Sequence, residues 1–195
     1  MCSCCSLALA RPPIRCEEDA PRLCLRDGQQ LLPVWRIAPY AGVARRLILA
    51  WKDHGRGDIT TDLAAVMEQA AWLVAEQGRV IWGERNIAVV PVPSRRAADR
   101  ARGGNLVTEL AEGVVRGLRT AGVPARLAVV LVRAGRGQVG LGQRQRSRVV
   151  VKARRPVSRP VLLVDDVLTT GATLLACQRA LPTTVAGLVL AATPR

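Results

Sequence analysis

Phenylalanine is absent from this chain, tyrosine and histidine occur once each, and only two of the 29 basic residues are lysine. With four Trp as the other aromatics, the core is expected to be built from Leu, Val and Ala. No apolar run reaches the roughly 18 residues that a membrane-crossing helix needs. The start lacks a basic lead, and Leu7-Ala-Leu-Ala10 is too short for the apolar centre of a signal peptide. A cytoplasmic setting is therefore expected, with the Cys reduced. The lone His54 leaves a Ser–His or Cys–His pair one base to draw on, and its neighbours Asp53 and Gly55 read as a surface turn. Acidic residues are missing altogether from Gly113 to Val164, against twelve basic ones. A field of that sign suits a polyanion, either a phosphate-rich small molecule or a nucleic acid. The scarce, scattered aromatics offer no stacking platform for single strands.

What is present fits one domain with a small extra piece: 195 residues, 49% of them apolar, with a formal net charge of +14. Residues 1–34 hold five of the six Cys and no sustained periodicity, which reads as a Cys-rich appendage to a body at 35–195. Within it, Cys2-x2-Cys5 is half of a zinc site. Cys24, Asp27, Cys16 and Cys4 are further residues of a type that can ligate zinc.

Further on, Leu63, Val66, Met67, Ala70 and Val74 recur at helical spacing between Asp58, read as the N-cap, and Gly78, read as the C-cap. A second helix is expected from about Asn105 to Arg119. Buried strands are expected at Ile87–Val90, Leu127–Val132 and Val161–Val164, an edge strand at Val149–Val151, a helix at about Gly171–Leu181 and a last strand at Val185–Ala191. Strands alternating with helices predict an α/β fold with a mostly parallel sheet flanked by helices.

The chemistry concentrates in Val161-Leu-Leu-Val-Asp165-Asp166-Val-Leu-Thr169-Thr170-Gly171-Ala172-Thr173. An apolar strand delivers two carboxylates to its C-terminal end, and a short loop enters a helix, where open α/β sheets bind ligands. The first N–H groups of that helix have no partner inside it and make an anion site. One end of the loop suits two hydroxyls or a cation and the other a phosphate; a ribose 5-phosphate has both. A receiver domain also opens on an apolar strand with paired Asp but needs far more chain than the 29 residues after Asp166. There is no Gly-x4-Gly-Lys-Ser/Thr, and Gly135-Arg-Gly137-Gln-Val-Gly140, which matches the dinucleotide pattern, is followed by a segment that opens a helix poorly.

These thirteen residues resemble the type I phosphoribosyltransferase motif at every position. Other stretches are similar to the ComF/GntX family, competence-associated relatives of amidophosphoribosyltransferases: Lys52-Asp-His-Gly55, Val90-Pro-Val-Pro93, Arg102-Gly-Gly-Asn105, and Gln138, Leu141 and Arg146 in a Gln-x2-Leu-x4-Arg loop. The resemblance, over about residues 40 to 192, implies a type I phosphoribosyltransferase fold and binding of 5-phosphoribosyl-1-pyrophosphate with Mg²⁺. It implies that Asp165 and Asp166 bind the ribose hydroxyls, directly or through Mg²⁺, and that Thr169, Thr170, Gly171, Ala172 and Thr173 cradle the 5-phosphate. Arg95, Arg96, Arg100 and Arg102 fall on the pyrophosphate side, and the 133–148 loop, with Gln138 and Arg146, would close over the site. Zn²⁺ at Cys2, Cys5 and Cys24 fits the same resemblance, and DNA or DNA-uptake proteins and a homo-oligomer are the partners it brings. Where the family usually has Phe then Asn-Gln after Arg-Gly, this chain has Gly104, Asn105 and Leu106, and Val149 stands where Asn often does. Two functions stay open: transfer of the phosphoribosyl group to a nitrogen nucleophile, or a module that binds the ligand without turnover.

Overall fold

In this computed structural model, residues 2–25, 27–53, 56–83, 85–94, 106–133 and 149–194 are described. The chain runs α1 (Ser3–Leu9), β1 (Ile14–Arg15), a 3-10 turn (Glu17–Asp19), β2 (Val34–Pro39), α2 (Gly42–Asp53), a second 3-10 turn (Gly57–Ile59), α3 (Thr60–Trp82), β3 (Ile87–Pro91), α4 (Leu106–Thr120), β4 (Ala125–Leu127), β5 (Leu131–Arg133), β6 (Val151–Ala153), β7 (Val161–Leu168), α5 (Ala172–Ala180) and β8 (Thr184–Ala192). Six strands form one sheet in the order β1-β2-β8-β7-β3-β4, and β5 and β6 form a separate antiparallel pair. Every neighbouring pair in the large sheet is parallel except β1 with β2. The α/β class expected from the sequence holds.

Strand periodicity explains why the middle strands are apolar throughout. Ile87 and Val89 of β3, with Leu162 and Val164 of β7, pack toward α2, α3 and α4. Their neighbours Ala88, Val90, Val161 and Leu163 pack toward α5, β5 and β6. A parallel strand covered on both faces needs such an uninterrupted run. From β3 the chain passes through α4 to β4 at one edge, and from β7 through α5 to β8 in the opposite direction. Right-handed crossovers in opposite directions put α4 and α5 on opposite faces. The chain's direction therefore reverses between β3 and β7.

Several expectations change. The apolar run at 127–132 is not one strand: β4 and β5 belong to different sheets, with 128–130 between them. β7 continues past Val164 to Leu168. α3 runs through Gly78 to Trp82, and Gly83, at φ +64°, closes it by donating its N–H to the Arg79 carbonyl at 2.8 Å. Gly78 instead makes room for the Trp82 indole, which lies 1.9 Å from where a Cβ would stand. Asp58 is no N-cap; it pairs with Arg56 at 2.7 Å. The core is also not purely aliphatic, because Trp35, Trp51 and Trp82 are fully buried. Trp35 and Trp82 meet edge to face at 6.5 Å, and the Trp51 Nε1–H donates to Thr60 Oγ1 at 2.9 Å. β2 and α2 lie where no element was expected.

The segment expected as an appendage is packed against the body. Leu9 joins the core on the α3 side, whereas Cys16, Ala20, Leu23 and Leu32 join the core on the α5 side. Glu17 is buried, accepts hydrogen bonds from the Arg15 guanidinium, and takes the Val34 N–H at 3.0 Å. Burial opposes the charge on Glu17, but these donors prevail and hold its carboxyl below the usual glutamate value.

Two measurable consequences follow. A carboxyl with a depressed folded-state pKa stabilises above its ordinary value, and that stability is lost as pH falls through the depressed value. The 14–34 segment should therefore loosen in acid, below the usual glutamate range, as exchange of the Val34 amide would report. Glu17→Gln should remove that step. The second concerns α4, whose Gly113 and Gly117 let it approach α3 so closely that a Cβ would fall 2.1 Å from the Ala64 carbonyl oxygen and 2.0 Å from that of Glu68. Gly117→Ala should cost about 1–3 kcal/mol in denaturant unfolding through overpacking, although Ala is the better helix former. An unshifted midpoint would show that the two helices can part freely.

Candidate functional site

The reversal lies between β3 and β7, and sheets of this kind take ligands outside the C-terminal ends of the strands at such a reversal. β3 delivers Pro91, Val92 and Pro93 there, with the Val92 N–H still paired to the Val164 carbonyl at 2.8 Å. β7 delivers Asp165 and Asp166. Because β7 extends to Leu168, both carboxylates lie within the strand rather than after it.

Adjacent strand residues alternate faces, and the two acids have different surroundings. Asp166, on the α2 side, is 9% exposed at its side chain and forms an ion pair with Lys52 Nζ at 2.6 Å. Asp165 Oδ1 accepts the Asp166 N–H at 2.9 Å. Burial, and then the Asp166 charge, push the Asp165 carboxyl well above the usual carboxylate range. On Lys52 burial works against the ammonium, but Asp166, and more weakly Asp165, hold it above the usual lysine value. Cys177 on α5 is buried, which pushes its thiol up, and the Asp165 charge adds to that effect. It packs in the α5-side core.

After Leu168 the chain turns through exposed Thr169 and Thr170 into α5. Thr170 Oγ1 accepts the Ala172 N–H at 3.4 Å. Gly171, the helix N-cap, sits at φ +79°. Its missing side chain is explained by the protein itself: a Cβ there would lie 2.6 Å from Leu23 Cγ and 3.2 Å from Ala20 Cβ. The Arg22 N–H donates to the Thr170 carbonyl at 3.0 Å. The N-terminal segment thus forms a wall of the loop.

Asp165 and Asp166 lie near the C-terminal end of β7, and Thr169 to Thr173 form the turn and first residues of α5 that follow. Arg95, Arg96, Arg100, Arg102, Gln138, Leu141 and Arg146, with His54, lie outside the described residues. The expected zinc set is not assembled: among the described residues no group of three or more His, Cys, Asp or Glu side chains is placed to hold a metal. The sulfurs of Cys2, the N-cap of α1, and Cys5 lie 3.3 Å apart, with Cys5 against the α3-side core. Cys24 follows Leu23, which is anchored in the core on the other side of the sheet, and its thiol faces the Glu17 carbonyl at 3.5 Å. Burial pushes Cys16 up to about 12, and Asp27 accepts the Gln29 N–H at 3.0 Å within its own turn. Lys52 is the residue whose place in the site was missed. Its signal was the Lys52-Asp-His-Gly55 pattern, whose partner 114 positions away no spacing reveals.

No protein-family model matches the chain, and no curated protein matches it. Among solved structures it is similar to a Trypanosoma cruzi hypoxanthine phosphoribosyl transferase, at 14% identity and a TM-score of 0.42, over 69% of this chain and 76% of that one. It is also similar to an asparagine mutant from a study of an invariant aspartic acid in HPRTs, at 15% identity and a TM-score of 0.39, over 66% of this chain and 65% of that one. At such low overlap these likenesses carry no weight alone.

The Gly171 environment yields a test. Gly171→Ala would combine a left-handed backbone, which costs a residue with a Cβ about 1–2 kcal/mol, with a clash on Leu23. Thermal unfolding should show a loss of about 2 kcal/mol or more, and adding Leu23→Ala should remove the clash but not the backbone part. If Leu23→Ala makes Gly171→Ala no milder, the wall is not rigid.

Proposed function

We propose that this chain binds 5-phosphoribosyl-1-pyrophosphate with Mg²⁺ and transfers the phosphoribosyl group to a nitrogen nucleophile, on a type I phosphoribosyltransferase fold of the ComF/GntX kind. One observation carries the reading: two adjacent carboxylates at the C-terminal end of β7, one short loop before the N-terminus of α5, at the point where the sheet's chain direction reverses. The carboxylates suit ribose hydroxyls as donors, and Thr169 to Thr173 with the first N–H groups of α5 suit the 5-phosphate. Arg95, Arg96, Arg102, Gln138 and Arg146 complete the proposal on the pyrophosphate side.

Mg²⁺ fits as an ion that arrives on its substrate. It keeps water and substrate phosphates as ligands rather than needing an all-protein cage, so it would be carried by the pyrophosphate substrate rather than ligated directly by Asp165 and Asp166. When bound, it supplies charge neutralisation for the departing pyrophosphate. The chain's own residues hold the ribose and the 5-phosphate so that the bond from the ribosyl carbon to pyrophosphate breaks as the bond to nitrogen forms. Catalysis is mainly positioning and electrostatics. The departures at Gly104, Leu106 and Val149 favour a second reading, a module that binds the ligand without turnover.

Titration calorimetry with phosphoribosyl pyrophosphate, with and without Mg²⁺, followed by an assay for pyrophosphate release, separates the two. Binding with release supports the enzyme, binding without release the module, and absence of binding sinks both. The double variant Asp165→Asn, Asp166→Asn should weaken binding by on the order of 3 kcal/mol or more.

A further inference from the structure

The acidic pair could meet a ligand in two ways, through hydroxyl donors or through a divalent cation, and the ion pair at its edge bears on which. Lys52 enters from the last turn of α2, its side chain one-third exposed, and places its ammonium 2.6 Å from Asp166 Oδ2. The carboxylate it meets is buried, near the C-terminal end of β7. The second carboxylate, Asp165, already has one oxygen committed to the Asp166 N–H. A cation approaching the pair would meet a resident positive charge on one acid and a shared oxygen on the other. A neutral hydroxyl meets no such repulsion, and a carboxylate oxygen can accept from an ammonium and a hydroxyl together, having several lone-pair sites.

We propose that Lys52 is the specificity-determining residue of this site: as the built-in counter-ion of Asp166 it makes the acidic pair a receptor for a neutral vicinal diol and keeps it from acting as a divalent-cation site. The inference rests on the phosphoribosyl reading for the identity of the diol but not for the role of Lys52. Removing the ammonium exposes a buried, uncompensated carboxylate, and a divalent cation becomes its best available partner.

The test uses two probes on the full chain, Mn²⁺ alone and ribose 5-phosphate in the presence of a chelator. Lys52→Met should bind Mn²⁺ at least tenfold more tightly than the unaltered protein, and the gain should vanish in Lys52→Met, Asp166→Asn. Lys52→Arg should behave like the unaltered chain. Should Lys52→Met fold poorly, adding Mn²⁺ should raise its melting temperature and leave that of the neutral double variant unmoved. Ribose 5-phosphate should bind the unaltered protein within about twofold of the same affinity with or without Mg²⁺. Equal Mn²⁺ affinity in the unaltered protein and in Lys52→Met overturns the proposal, because Lys52 would then be only a structural partner. Tight Mn²⁺ binding with Lys52 in place overturns it too. Failure of ribose 5-phosphate to bind under any condition would defeat the phosphoribosyl reading, while the Mn²⁺ comparison would still decide the role of Lys52.

Discussion

Strand β7 has no solvent face along its first four residues, and from that constraint the rest of the structure follows. Val161 to Val164 are completely buried, so the strand must lie mid-sheet between β3 and β8 with helices over both faces. Asp165 and Asp166 follow while the strand is still covered, with Asp166 and Leu168 both buried, and the two-residue period of the strand sends the two acids to different environments. The price of placing charge there is visible in the raised carboxyl of Asp165 and in the Lys52 ion pair that offsets the burial of Asp166.

The same burial explains the N-terminal segment. On the α5 side a single nine-residue helix cannot cover the strands, and Cys16, Ala20, Leu23 and Leu32 complete the layer along with β5 and β6. Leu23 and Ala20 press against the backbone at Gly171, and the Arg22 amide holds the Thr170 carbonyl. The chain's early residues thus shape the loop that follows β7. The opposite side is closed more tightly, by the near-contact of α3 and α4 at Gly113 and Gly117 and by three buried indoles.

Legibility in the sequence followed the strength of local signals. The strands at 87 and 161, the helix after Gly171 and the last strand were readable because each is a continuous apolar run or a short periodic stretch bounded by Gly or Pro. β2 was not, because Arg36 interrupts its apolar run, whereas α2 was legible in Ala44, Leu47, Ile48 and Trp51, buried at helical spacing opposite the exposed Arg45 and Arg46. The run at 127–132 looked like one strand because hydrophobicity cannot reveal that the chain changes sheets at residues 128–130. The cysteines looked like a zinc set because spacing does not report which core each packs against, Cys5 the α3-side core and Cys16 the α5-side core.

By itself, the sequence determined the α/β class, the apolar strand ending in Asp165-Asp166, and the loop and helix that follow. These are written in contiguous residues, and each depends on burial patterns of period two or on the backbone needs of a single glycine. Tertiary structure alone decided that Lys52 meets Asp166, that Leu23 rather than a ligand fills the space above Gly171, and that Cys24 stands apart from Cys2 and Cys5. Those contacts join residues far apart in the chain, and they exist only because a twisted parallel sheet with crossovers in both directions brings the end of α2, the N-terminal segment and the end of β7 to one edge.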